Sequence, residues 1–572
     1  MARIKSKRSA LQTLSCKFGG MAQHTPLSPM GAEDVCNFRI LPDGSLRVRS
    51  GYTLKKQFSS GKKVRGFWEG TVGRTSLCFA VVGDKVYRLS GDEMDETAVG
   101  TVYDGDNNVH FFVYKDVLYL LDGQNIRMYS PSSGKFTVAE PYVPLYGFSW
   151  SPEYFGDVYE EINLLTPRLR MHYFNPNASN VFVLPYYAEA IDTVRANGVK
   201  TTSYTFSPGS NQIIVETKPT YLEVSFTVSL NTELRAQMMA AQMSYIYSRN
   251  GEEKLFLGDS QGRLFCSRDA TNLMLSSCHV MYPKATQLYF CMEDILFLGD
   301  SAHPVSTICP LYETLLVFTS DRIWSIAYQK KKEEEILLLT PASHEIGCSS
   351  PQGVMIDTDS ILVATKDGLY RISASPARPE DLFFERLSIG IDDKFPLGFT
   401  DNVILMRNYA SGEIWMRDPS NTDGEIWVWN TEVKDWYRFE GINTSLFFKH
   451  NEGIGFAQGS NLFLFDRFCN TDNGAPIAAH YKSAYLDFGS PESPRRSMRA
   501  FLYSSPKANC QVLFETEREE RTYRLIAASN AKVPCVDDMR IGTHRYRFLR
   551  FTLSVSATTP TEFYRLDIYS KP

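Results

Sequence analysis

Short apolar runs alternate with polar residues along the chain, and pairs of runs flank turns that contain Gly, Asp or Asn. Period-two alternation predicts strands, and small or acidic turn residues supply the positive φ values of a tight turn. Seven hairpins are predicted between residues 60 and 470. They are LCFAVVGDKVYRL (77–89), HFFVYKDVLYLLDGQNIRMY (110–129), EKLFLGDSQGRLFCS (253–267), ETLLVFTSDRIWSIAY (313–328), SILVATKDGLYRI (360–372), EIWVWNTEVKDWYRF (425–439) and GIGFAQGSNLFLFD (453–466).

The spacing of these hairpins is typical of a propeller. The turns at Asp84 and Asp122 lie 38 residues apart and those at Asp321 and Asp367 lie 46 apart, close to the length of a four-stranded blade. A lone hairpin is marginal in water, whereas radial stacking buries both faces of each sheet. We therefore predict an all-β protein built on a β-propeller of six to eight blades.

Two further regions interrupt or follow the propeller. Residues 148–235, between its two parts at 61–147 and 236–470, hold an Asn-Gly hairpin (VRANGVKTTSYTF) and an alternating strand (YLEVSFTVSL), which predict an inserted β-sandwich. Residues 471–572 hold at least five alternating segments, which predict a C-terminal β-sandwich. One helix is predicted within 230–248, capped by Asn231 or Thr232.

The segment 1–60 is interpreted as an N-terminal arm and propeller-closing segment. In LPDGS, Pro42, Asp43 and Gly44 fit positions i+1 to i+3 of a type I turn. The strand Ser45 to Tyr52 (SLRVRSGY) is the candidate that joins the last blade to the first. The alternative is an ordinary surface hairpin that has no part in closure.

Composition narrows the classes of function. The net charge of −5 disfavours a protein that grips nucleic acid through a dominant basic face. The chain has no apolar run of about 18 residues, which argues against a membrane span. Its basic start lacks an apolar segment, which argues against a secretory signal. The 11 cysteines include no C-x-x-C pair, so we expect reduced thiols and no zinc site.

No catalytic motif is complete. The segments around Trp324 and Trp427 only approach the Asp-box of propeller glycosidases, and both tryptophans are interpreted as core residues. Asp392 and Asp393 are neighbours on the chain and would point to opposite faces of a strand. His344 and Cys348 lie in a loop without a recognised metal or nucleophile motif. We expect no catalytic residue, no metal ligand and no cofactor.

Charged positions are the better candidates for contacts with partners. The basic N-terminal arm would dock on a neighbouring protein or stay disordered, and the run KKKEEE (330–335) would be a solvated hairpin tip or pair with a neighbouring copy. The candidate docking or interface residues are Arg3, Lys5, Lys7, Arg8, Lys17, Asp43, Gly44, Arg47, Arg49, Arg495 and Arg496.

The opening segment CKFGGMAQHTPLSPMGAEDVCNFRILPDGSLRVRSGY resembles the N-termini of phage tail propeller proteins, the tail nozzle or tail hub proteins of short-tailed phages. These are also described as packaged-DNA stabilisation or tail tubular proteins. The segments NLLTPRLRMHYF (163–174) and PVSTICPLYETLLVFTSDRIWSI (304–326) resemble that group too. The matching positions of the opening segment are Phe18, Gly19, Gly20, Ala32, Asp34, Asn37, Asp43, Gly44, Ser45, Leu46, Arg49, Gly51 and Tyr52.

This resemblance implies a structural, non-enzymatic protein of the virion tail, assembled in the host cytoplasm. It implies a homo-oligomeric ring of six copies below the portal and adaptor, which lines the DNA exit channel and closes it until infection. Packaged DNA would pass without sequence specificity. The alternatives are a phage receptor-binding or baseplate protein that recognises surface glycans, a carbohydrate-active enzyme with acids clustered in the central funnel, and a cellular interaction scaffold.

Overall fold

The computed structural model describes residues 12–21, 31–241, 243–249, 252–269, 274–275, 280–281, 288–312, 314–331, 334–375, 378–391, 402–451, 453–488, 492, 494–505, 509–525 and 535–571. Within them the regular structure consists of 49 strands and one helix, which confirms the predicted all-β class. The first five strands are β1 (Gln12–Cys16), β2 (Ala32–Cys36), β3 (Phe38–Ile40), β4 (Leu46–Val48) and β5 (Tyr52–Gln57).

Two four-stranded antiparallel sheets follow, and the predicted hairpins form part of each. The first sheet contains β6 (Val64–Val72), β7 (Thr75–Val82), β8 (Lys85–Ser90) and β9 (Asp95–Thr101). The second contains β10 (His110–Tyr114), β11 (Val117–Leu121), β12 (Ile126–Ser130) and β13 (Lys135–Val138). Each sheet follows chain order, so every connection is a short turn between neighbouring strands.

The insert forms one continuous sheet. Its strands are β14 (Leu145–Trp150), β15 (Arg168–Phe174), β16 (Val181–Ala196), β17 (Val199–Lys200), β18 (Tyr204–Phe206), β19 (Ser210–Val215) and β20 (Tyr221–Val228). The order is β14-β15-β20-β16-β19-β18, with β17 paired to β16. The long strand β16 pairs with β19 near Val181 and with β20 beyond Ala188. Two separate stacked sheets were expected here, whereas this bend curls a single sheet around its own core.

The predicted helix is shorter than expected. It is α1 (Thr232–Met239), and Asn231 occupies the N-cap position without a side-chain capping hydrogen bond. The chain returns to strand at Met243 because MSYIYSR pairs with residues 252–258, and this pairing overrides the helix propensity of the flanking Ala and Met residues. Seven of the ten described cysteines are buried, and burial raises the pKa of the Cys510 thiol to about 12.

Three more four-stranded sheets follow the helix. The third sheet contains β21 (Met243–Arg249), β22 (Glu252–Gly258), β23 (Arg263–Ser267) and β26 (Phe290–Phe297), with the hairpin β24 (Met274–Leu275) and β25 (Val280–Met281) between its last two strands. The fourth contains β27 (Val305–Leu311), β28 (Thr314–Thr319), β29 (Ile323–Lys331) and β30 (Glu334–Ser343). The fifth contains β31 (Val354–Asp357), β32 (Ser360–Thr365), β33 (Gly368–Ser375) and β34 (Arg378–Arg386).

The last two sheets differ in how they are completed. The sixth contains β35 (Ile404–Asn408), β36 (Glu413–Arg417), β37 (Ile426–Asn430) and β38 (Asp435–Phe439). The seventh contains β39 (Leu446–His450), β40 (Gly453–Gln458) and β41 (Asn461–Phe465), and its fourth strand is β5 from the N-terminal segment. Three strands of the seventh sheet are therefore consecutive along the chain, and the fourth comes from a segment far away in the sequence.

The sheets are arranged as a β-propeller. The first strand of each sheet contacts the first strand of the next, in the order β6, β10, β21, β27, β31, β35 and β39, and β39 contacts β6 again. Hydrophobic clusters fill the spaces between neighbouring sheets, as where Leu446 and Phe448 of the seventh pack with Val82 and Tyr87 of the first. The described sheets thus share one ring and bury both of their faces.

The closing strand is not the one expected. The prediction placed closure at Ser45 to Tyr52, but the strand that pairs with β41 begins at Tyr52 and runs to Gln57. Leu46–Val48 pairs instead with β3 and with the last strand of the chain. The chain passes from the sandwich to the propeller at Gly51, whose backbone lies directly against the backbone of Thr471. Residues before Gly51 belong to one unit and residues after it to another.

Both ends of the chain form the terminal sandwich. Its C-terminal strands are β42 (Thr471–Asp472), β43 (Ala475–Ser483), β44 (Arg496–Ser504), β45 (Cys510–Thr516), β46 (Glu520–Leu525), β47 (Cys535–Met539), β48 (Leu549–Ala557) and β49 (Glu562–Lys571). One sheet has the order β3-β4-β49-β44-β47, with β1 also paired to β49, and the other has the order β2-β43-β48-β45-β46. The N-terminal segment is therefore built into this sandwich.

Candidate functional site

The joint is the region where residues 12–21 and 31–57 meet the terminal sandwich and the sixth and seventh propeller sheets. β2 lies between β43 of the sandwich and β38 of the sixth sheet, and β42 lies beside the closing strand β5. One hydrophobic cluster runs through all of these elements, from Phe18 and Val35 to Trp436 and Phe551. The joint is thus a continuous part of the core.

Arg49 is one of the most highly connected charges of the joint. Its side chain is 1% exposed, and its guanidinium donates two hydrogen bonds of 2.8 and 2.6 Å to the carboxylate of Asp472. It also donates to Asn37 Oδ1 at 2.8 Å and to the carbonyl oxygens of Ser50 and Glu440. This bidentate pairing fixes both the distance and the orientation of the two segments.

Asn37 extends this hydrogen-bond network, and its backbone adopts a left-handed conformation. Its φ of 56° lies in the left-handed region, which Asn tolerates better than most residues. The side-chain amide donates to the carbonyl of Ala478 in β43 at 2.7 Å, and its Oδ1 accepts the Glu440 amide at 3.0 Å. One side chain therefore ties the sandwich to the end of the sixth sheet.

A second ion pair joins Arg438 of β38 to Asp34 of β2. Two hydrogen bonds of 2.8 Å connect the guanidinium with the carboxylate, and His480 Nε2 lies 2.7 Å from the same carboxylate. Burial acts to raise the pKa of Asp34, but the hydrogen bonds and charges of Arg438 and His480 outweigh it and hold that pKa well below its usual range. Asp34 is therefore ionised at neutral pH.

A cleft of about 370 Å³ opens beside this pair. Burial raises the pKa of Glu425 on its wall, while Arg438 acts against that rise. The residues that line the cleft are Met21, Glu33, Asp34, Glu425, Trp427, Arg438 and Lys482. Charged groups of both signs face the cleft and form ion pairs with one another, such as the 2.9 Å pair between Lys482 and Glu33.

A third pair lies deeper, between Arg39 and the fully buried Glu413. Arg39 Nε lies 2.6 Å from Glu413 Oε1, and the carboxylate also accepts hydrogen bonds from Ser411, Trp415 and Tyr437. A buried carboxylate is costly unless all its oxygens are satisfied, and here four donors converge on it. The hairpin β3–β4 is thus anchored to the sixth sheet.

Two glycines permit the close approach of these segments. A Cβ at Gly51 would lie 1.9 Å from the carbonyl oxygen of Thr471, and one at Gly20 would lie 2.6 Å from the Cβ of Asp435. The Gly20 amide also donates to Asp435 Oδ2 at 3.1 Å. At both positions only glycine leaves room for the opposing chain.

Aromatic rings seal the two sides of the joint. Phe18 packs edge-on against Tyr481 with ring centres 5.1 Å apart. Tyr52 packs edge-on against Phe456 at 4.9 Å and Phe463 at 5.4 Å in the seventh sheet. Such pairs prefer edge-to-face geometry and add to the area that they bury. Phe18 therefore fastens the N-terminal segment to the sandwich, and Tyr52 fastens it to the propeller.

Eight of the thirteen positions of the opening segment that carry the sequence resemblance have a described contact in the joint. Those with a described contact there are Phe18, Gly20, Ala32, Asp34, Asn37, Arg49, Gly51 and Tyr52. Their chemistry is structural, since every charge is paired and every ring is packed. What this arrangement can do is hold the sandwich rigidly on the closed end of the propeller.

The other candidate residues lie in several places. Arg3, Lys5, Lys7 and Arg8 lie outside the described residues. Asp43 accepts hydrogen bonds from Ser45, and the Gly44 amide donates to the Leu41 carbonyl at 2.8 Å, which closes the predicted turn at the tip of the hairpin β3–β4. Gly44 has a φ of 80°, and the exposed Lys17 packs over it.

The remaining arginines split into exposed and buried positions. Arg47 is largely exposed and pairs with Glu562 at 2.6 Å. Arg495 is buried beneath Phe488 and exchanges backbone hydrogen bonds with Tyr546, whereas its neighbour Arg496 is exposed. Among the members of the predicted set that the structure describes, Arg49 alone belongs to the ion network of the joint.

Sequence reasoning missed Arg438, Glu413 and Asp472. No local pattern marks them, because the partner of Arg438 lies 404 residues away along the chain and that of Arg49 lies 423 away. The only available signal was the resemblance, which singled out the N-terminal partners and left the C-terminal ones unmarked.

The residues considered for chemistry have ordinary surroundings. Trp427 is buried in the joint, and the Cys348 thiol donates to the Ser350 carbonyl at 3.4 Å in the connection between the fourth and fifth sheets. Asp392 and Asp393 lie outside the described residues, as do the side chains of the KKKEEE run. Among the described residues, no three His, Cys, Asp or Glu side chains converge as metal ligands would. Within the same residues, no helix has the length and apolar character needed to cross a membrane.

Comparisons with known proteins leave the family open. No family model matches the chain, and no curated protein matches it. Solved structures do match. The extracellular domain of a one-component system from B. thetaiotaomicron is 10% identical with a TM-score of 0.36, and the match covers 90% of this chain and 61% of that one. The chain thus spans about three fifths of that relative.

Two further structures are similar at the same low level. The AfRom2 CNH domain is 9% identical with a TM-score of 0.35, over 73% of this chain and 99% of that one. An exo-β-1,3-galactanase from Phanerochaete chrysosporium is 6% identical with a TM-score of 0.23, over 91% of this chain and 100% of that one. At these identities and TM-scores the likenesses carry no conclusion about what the chain does.

Proposed function

We propose that the seven sheets are the blades of one closed propeller and that the protein is a structural component of a phage tail. In this proposal six copies form the nozzle or hub ring below the portal and adaptor. The ring lines the DNA exit channel and closes it until infection. The action is mechanical and involves no catalysis. The observation that supports the proposal is that eight of the thirteen opening-segment positions that resemble tail nozzle proteins have contacts in the joint.

The joint gives the subunit the rigidity that a mechanical component of a tail needs. A propeller whose last blade is completed by a distant strand resists opening, because separating that blade breaks the pairing of β5 with β41. The ion pairs of Arg438 and Arg39 hold the terminal sandwich and the N-terminal segment against the neighbouring sixth sheet, and that of Arg49 holds the segment before β5 to Asp472. A rigid two-part subunit of this kind can repeat around an axis without deforming at each contact.

Ring formation and passage of DNA place different demands on the surface. Identical subunits close into a ring when one heterologous contact repeats with a rotation that closes. DNA slides most freely past a wall that does not attract phosphates strongly, and a net charge of −5 suits such a wall. Both demands are compatible with one subunit if the contact surfaces and the channel surface are separate.

The decisive experiment is an electron-microscopic reconstruction of the particle that carries this protein. The expected result is a ring of six copies between the adaptor and the outer end of the tail, with each propeller traced through seven blades. Particles made without the protein are expected to lose packaged DNA, which then becomes sensitive to added nuclease. The proposal is overturned if the protein is a monomer at the end of a fibre, away from the channel.

A further inference from the structure

The inserted sheet exposes an unusual group of aromatic side chains at one place on its surface. Phe155 is 73% exposed and Tyr187 is 72% exposed, and Tyr154 and Val158 beside them are also exposed. We call the group formed by Tyr154, Phe155, Val158, Tyr186 and Tyr187 the aromatic tip. Isolated exposed aromatics are common on protein surfaces, but here they cluster on two adjacent segments, since the Val183 amide donates to the Pro152 carbonyl at 2.8 Å.

The loop that carries Phe155 is held firmly. The Ser151 amide donates to the Phe155 carbonyl at 3.0 Å, which closes a tight turn, and the Trp150 indole N–H donates to the Asp157 carbonyl at 2.7 Å. Gly156 lies against the face of the buried Trp150 ring. The loop is therefore preorganised by the side chain beneath it and by its own backbone.

Tyr154 adopts a conformation that its type disfavours. Its φ of 76° lies in the left-handed region, where an aromatic residue is strained. The Trp150 ring packs edge-on against it at 5.2 Å, and its hydroxyl reaches the Pro185 carbonyl at 3.5 Å. The strained backbone thus leaves both Tyr154 and Phe155 exposed in a loop that contacts β16 through the Tyr154 hydroxyl.

The second part of the tip comes from the irregular middle of β16. The register of β16 shifts between Val183 and Ala188, and Tyr186 and Tyr187 lie within this bulge. The Tyr186 hydroxyl is fixed by the hydroxyl of Tyr146 at 3.1 Å, while Tyr187 points into solvent. A bulge commonly redirects a side chain, and here it adds a third exposed ring to the two of the loop.

The charges around the tip restrict what it can bind. The exposed charged residues of segments 151–158 and 185–190 are Glu153, Asp157 and Glu189, and these segments contain no Lys or Arg. Carboxylates repel phosphate, sulfate and uronate groups, and they accept hydrogen bonds from hydroxyl groups. An anionic lipid surface or a nucleic acid therefore does not fit.

We propose that the aromatic tip binds an uncharged carbohydrate chain. Sugar rings present a face of C–H groups that packs on an aromatic ring, and a rim of hydroxyls that donate to carboxylates. The tip offers both partners on a rigid support: the rings of Phe155 and Tyr187 for the C–H faces, and Glu153, Asp157 and Glu189 for the hydroxyls. A preorganised surface loses little conformational entropy when it binds. This inference does not depend on the proposed ring and holds equally for a monomer.

The test uses the full chain and a panel of short neutral hexose oligosaccharides, with sulfated and uronic-acid analogues as anionic counterparts. Binding is measured by isothermal calorimetry, and saturation-transfer NMR identifies the sugar protons in contact. We expect the protein to bind a neutral member of the panel and not its anionic counterparts. The double variant F155A/Y187A is expected to bind at least about tenfold more weakly.

A matched control separates the tip from a general loss of exposed aromatics. Phe468 is 75% exposed and lies outside the insert, so F468A removes an equally exposed ring from another surface. It is expected to leave sugar binding unchanged, and both variants are expected to keep the parent thermal unfolding curve. The inference is overturned if no neutral sugar binds at millimolar concentration, if only anionic sugars bind, if a protein partner alone occupies the tip, or if F155A/Y187A binds as well as the parent. Failure of the ring would leave these measurements unaffected.

Discussion

The joint and the aromatic tip use the same residue types in opposite ways. In the joint, aromatic rings and charged groups lie at the contact between the N-terminal segment, the terminal sandwich and the propeller. Arg49, Glu413 and Tyr437 are almost fully buried there. At the tip, Phe155 and Tyr187 face solvent although the backbone beneath them is well supported. Aromatic and charged residues thus stabilise the molecule in one region and remain available to a ligand in the other.

The two regions also differ in how far apart their parts lie along the chain. The ion pairs of the joint connect residues about 400 positions apart, such as Asp34 and Arg438. The tip is made by two segments separated by about 30 residues within one sheet. We therefore expect changes in the joint to affect the whole molecule and changes at the tip to affect only binding.

The largest expected effect follows from replacing Arg49 by Met. The variant leaves the Asp472 carboxylate, which is 15% exposed, without its bidentate partner. Breaking a fully buried pair costs about 3 to 5 kcal/mol, and the partial exposure of Asp472 places the expected loss at the lower end of that range. Four of the seven tryptophans, Trp415, Trp427, Trp429 and Trp436, lie in the sixth sheet, so their fluorescence during denaturant unfolding reports on the joint.

Arg47 provides the matched control two residues away. Its ion pair with Glu562 is largely exposed, and such pairs contribute only about 0 to 1 kcal/mol. R47M is therefore expected to unfold almost like the parent. Equal destabilisation by R49M and R47M would show that burial in the joint does not matter.

A smaller but sharper effect is expected from adding one methyl group at Gly51. The new Cβ in G51A would lie 1.9 Å from the Thr471 carbonyl oxygen, so one of the two backbones has to move, at a cost of about 1 to 3 kcal/mol. Because Gly51 precedes the closing strand, limited proteolysis is expected to cut the variant near residues 52–57 faster than the parent. G390A is the control, since no atom lies within 4 Å of a Cβ at Gly390. Identical digestion of the two variants would contradict the role of Gly51.

Acid is expected to weaken the joint through Asp34. The folded-state pKa of this carboxyl is depressed below its unfolded value near 3.9, so its contribution is present above that pH and is lost as the pH falls. The effect, about 2 kcal/mol or less, should appear between about pH 5 and pH 1 as a falling midpoint of unfolding. D34N is expected to be less stable than the parent at neutral pH, and its unfolding midpoint is expected to fall less steeply as the pH is lowered. If the unfolding midpoint of D34N falls with pH as steeply as that of the parent, Asp34 is not the cause of the loss of stability in acid.

The smallest effect is expected at the tip. Phe155 and Tyr187 make few contacts that unfolding would lose, so F155A and Y187A should each change the free energy of unfolding by no more than about 0.5 kcal/mol. Thermal unfolding followed by far-UV circular dichroism measures this. A loss comparable to that of R49M would mean that the rings support the fold, and the contrast between the two regions would fail.

The features that depend on neighbouring residues could be predicted from sequence. The alternation in LCFAVVGDKVYRL and SILVATKDGLYRI predicts strands that are present as β7–β8 and β32–β33, and the turn at Leu41–Gly44 forms where LPDGS predicts it. The predicted all-β, propeller-like and sandwich-like character of the fold is confirmed, whereas the insert is one curled sheet and not the predicted sandwich. Each of these features is fixed by side-chain period or turn chemistry within a few residues.

The features that depend on distant partners could not be predicted in the same way. The pairing of β5 with β41 joins two alternating segments, and nothing in their residues distinguishes the correct partner from other strands. The same holds for Arg438 and for Asp472. The curled sheet of the insert depends on one bend in β16, and the helix stops early because residues 243–249 pair with a neighbouring strand. Tertiary contacts decide each of these cases.

The completion of the last blade by β5 has a consequence for synthesis on the ribosome. At roughly 5 to 20 residues per second, the nascent chain waits about 20 to 80 s after β5 emerges before its partner β41 exists. During that delay β5 has two unpaired edges in a crowded cell, and such edges readily attach to other polypeptides. Recruitment of a chaperone to the segment around β5, or slow maturation after release, is the expected consequence of completing the seventh sheet with a strand that is synthesised long before its partner.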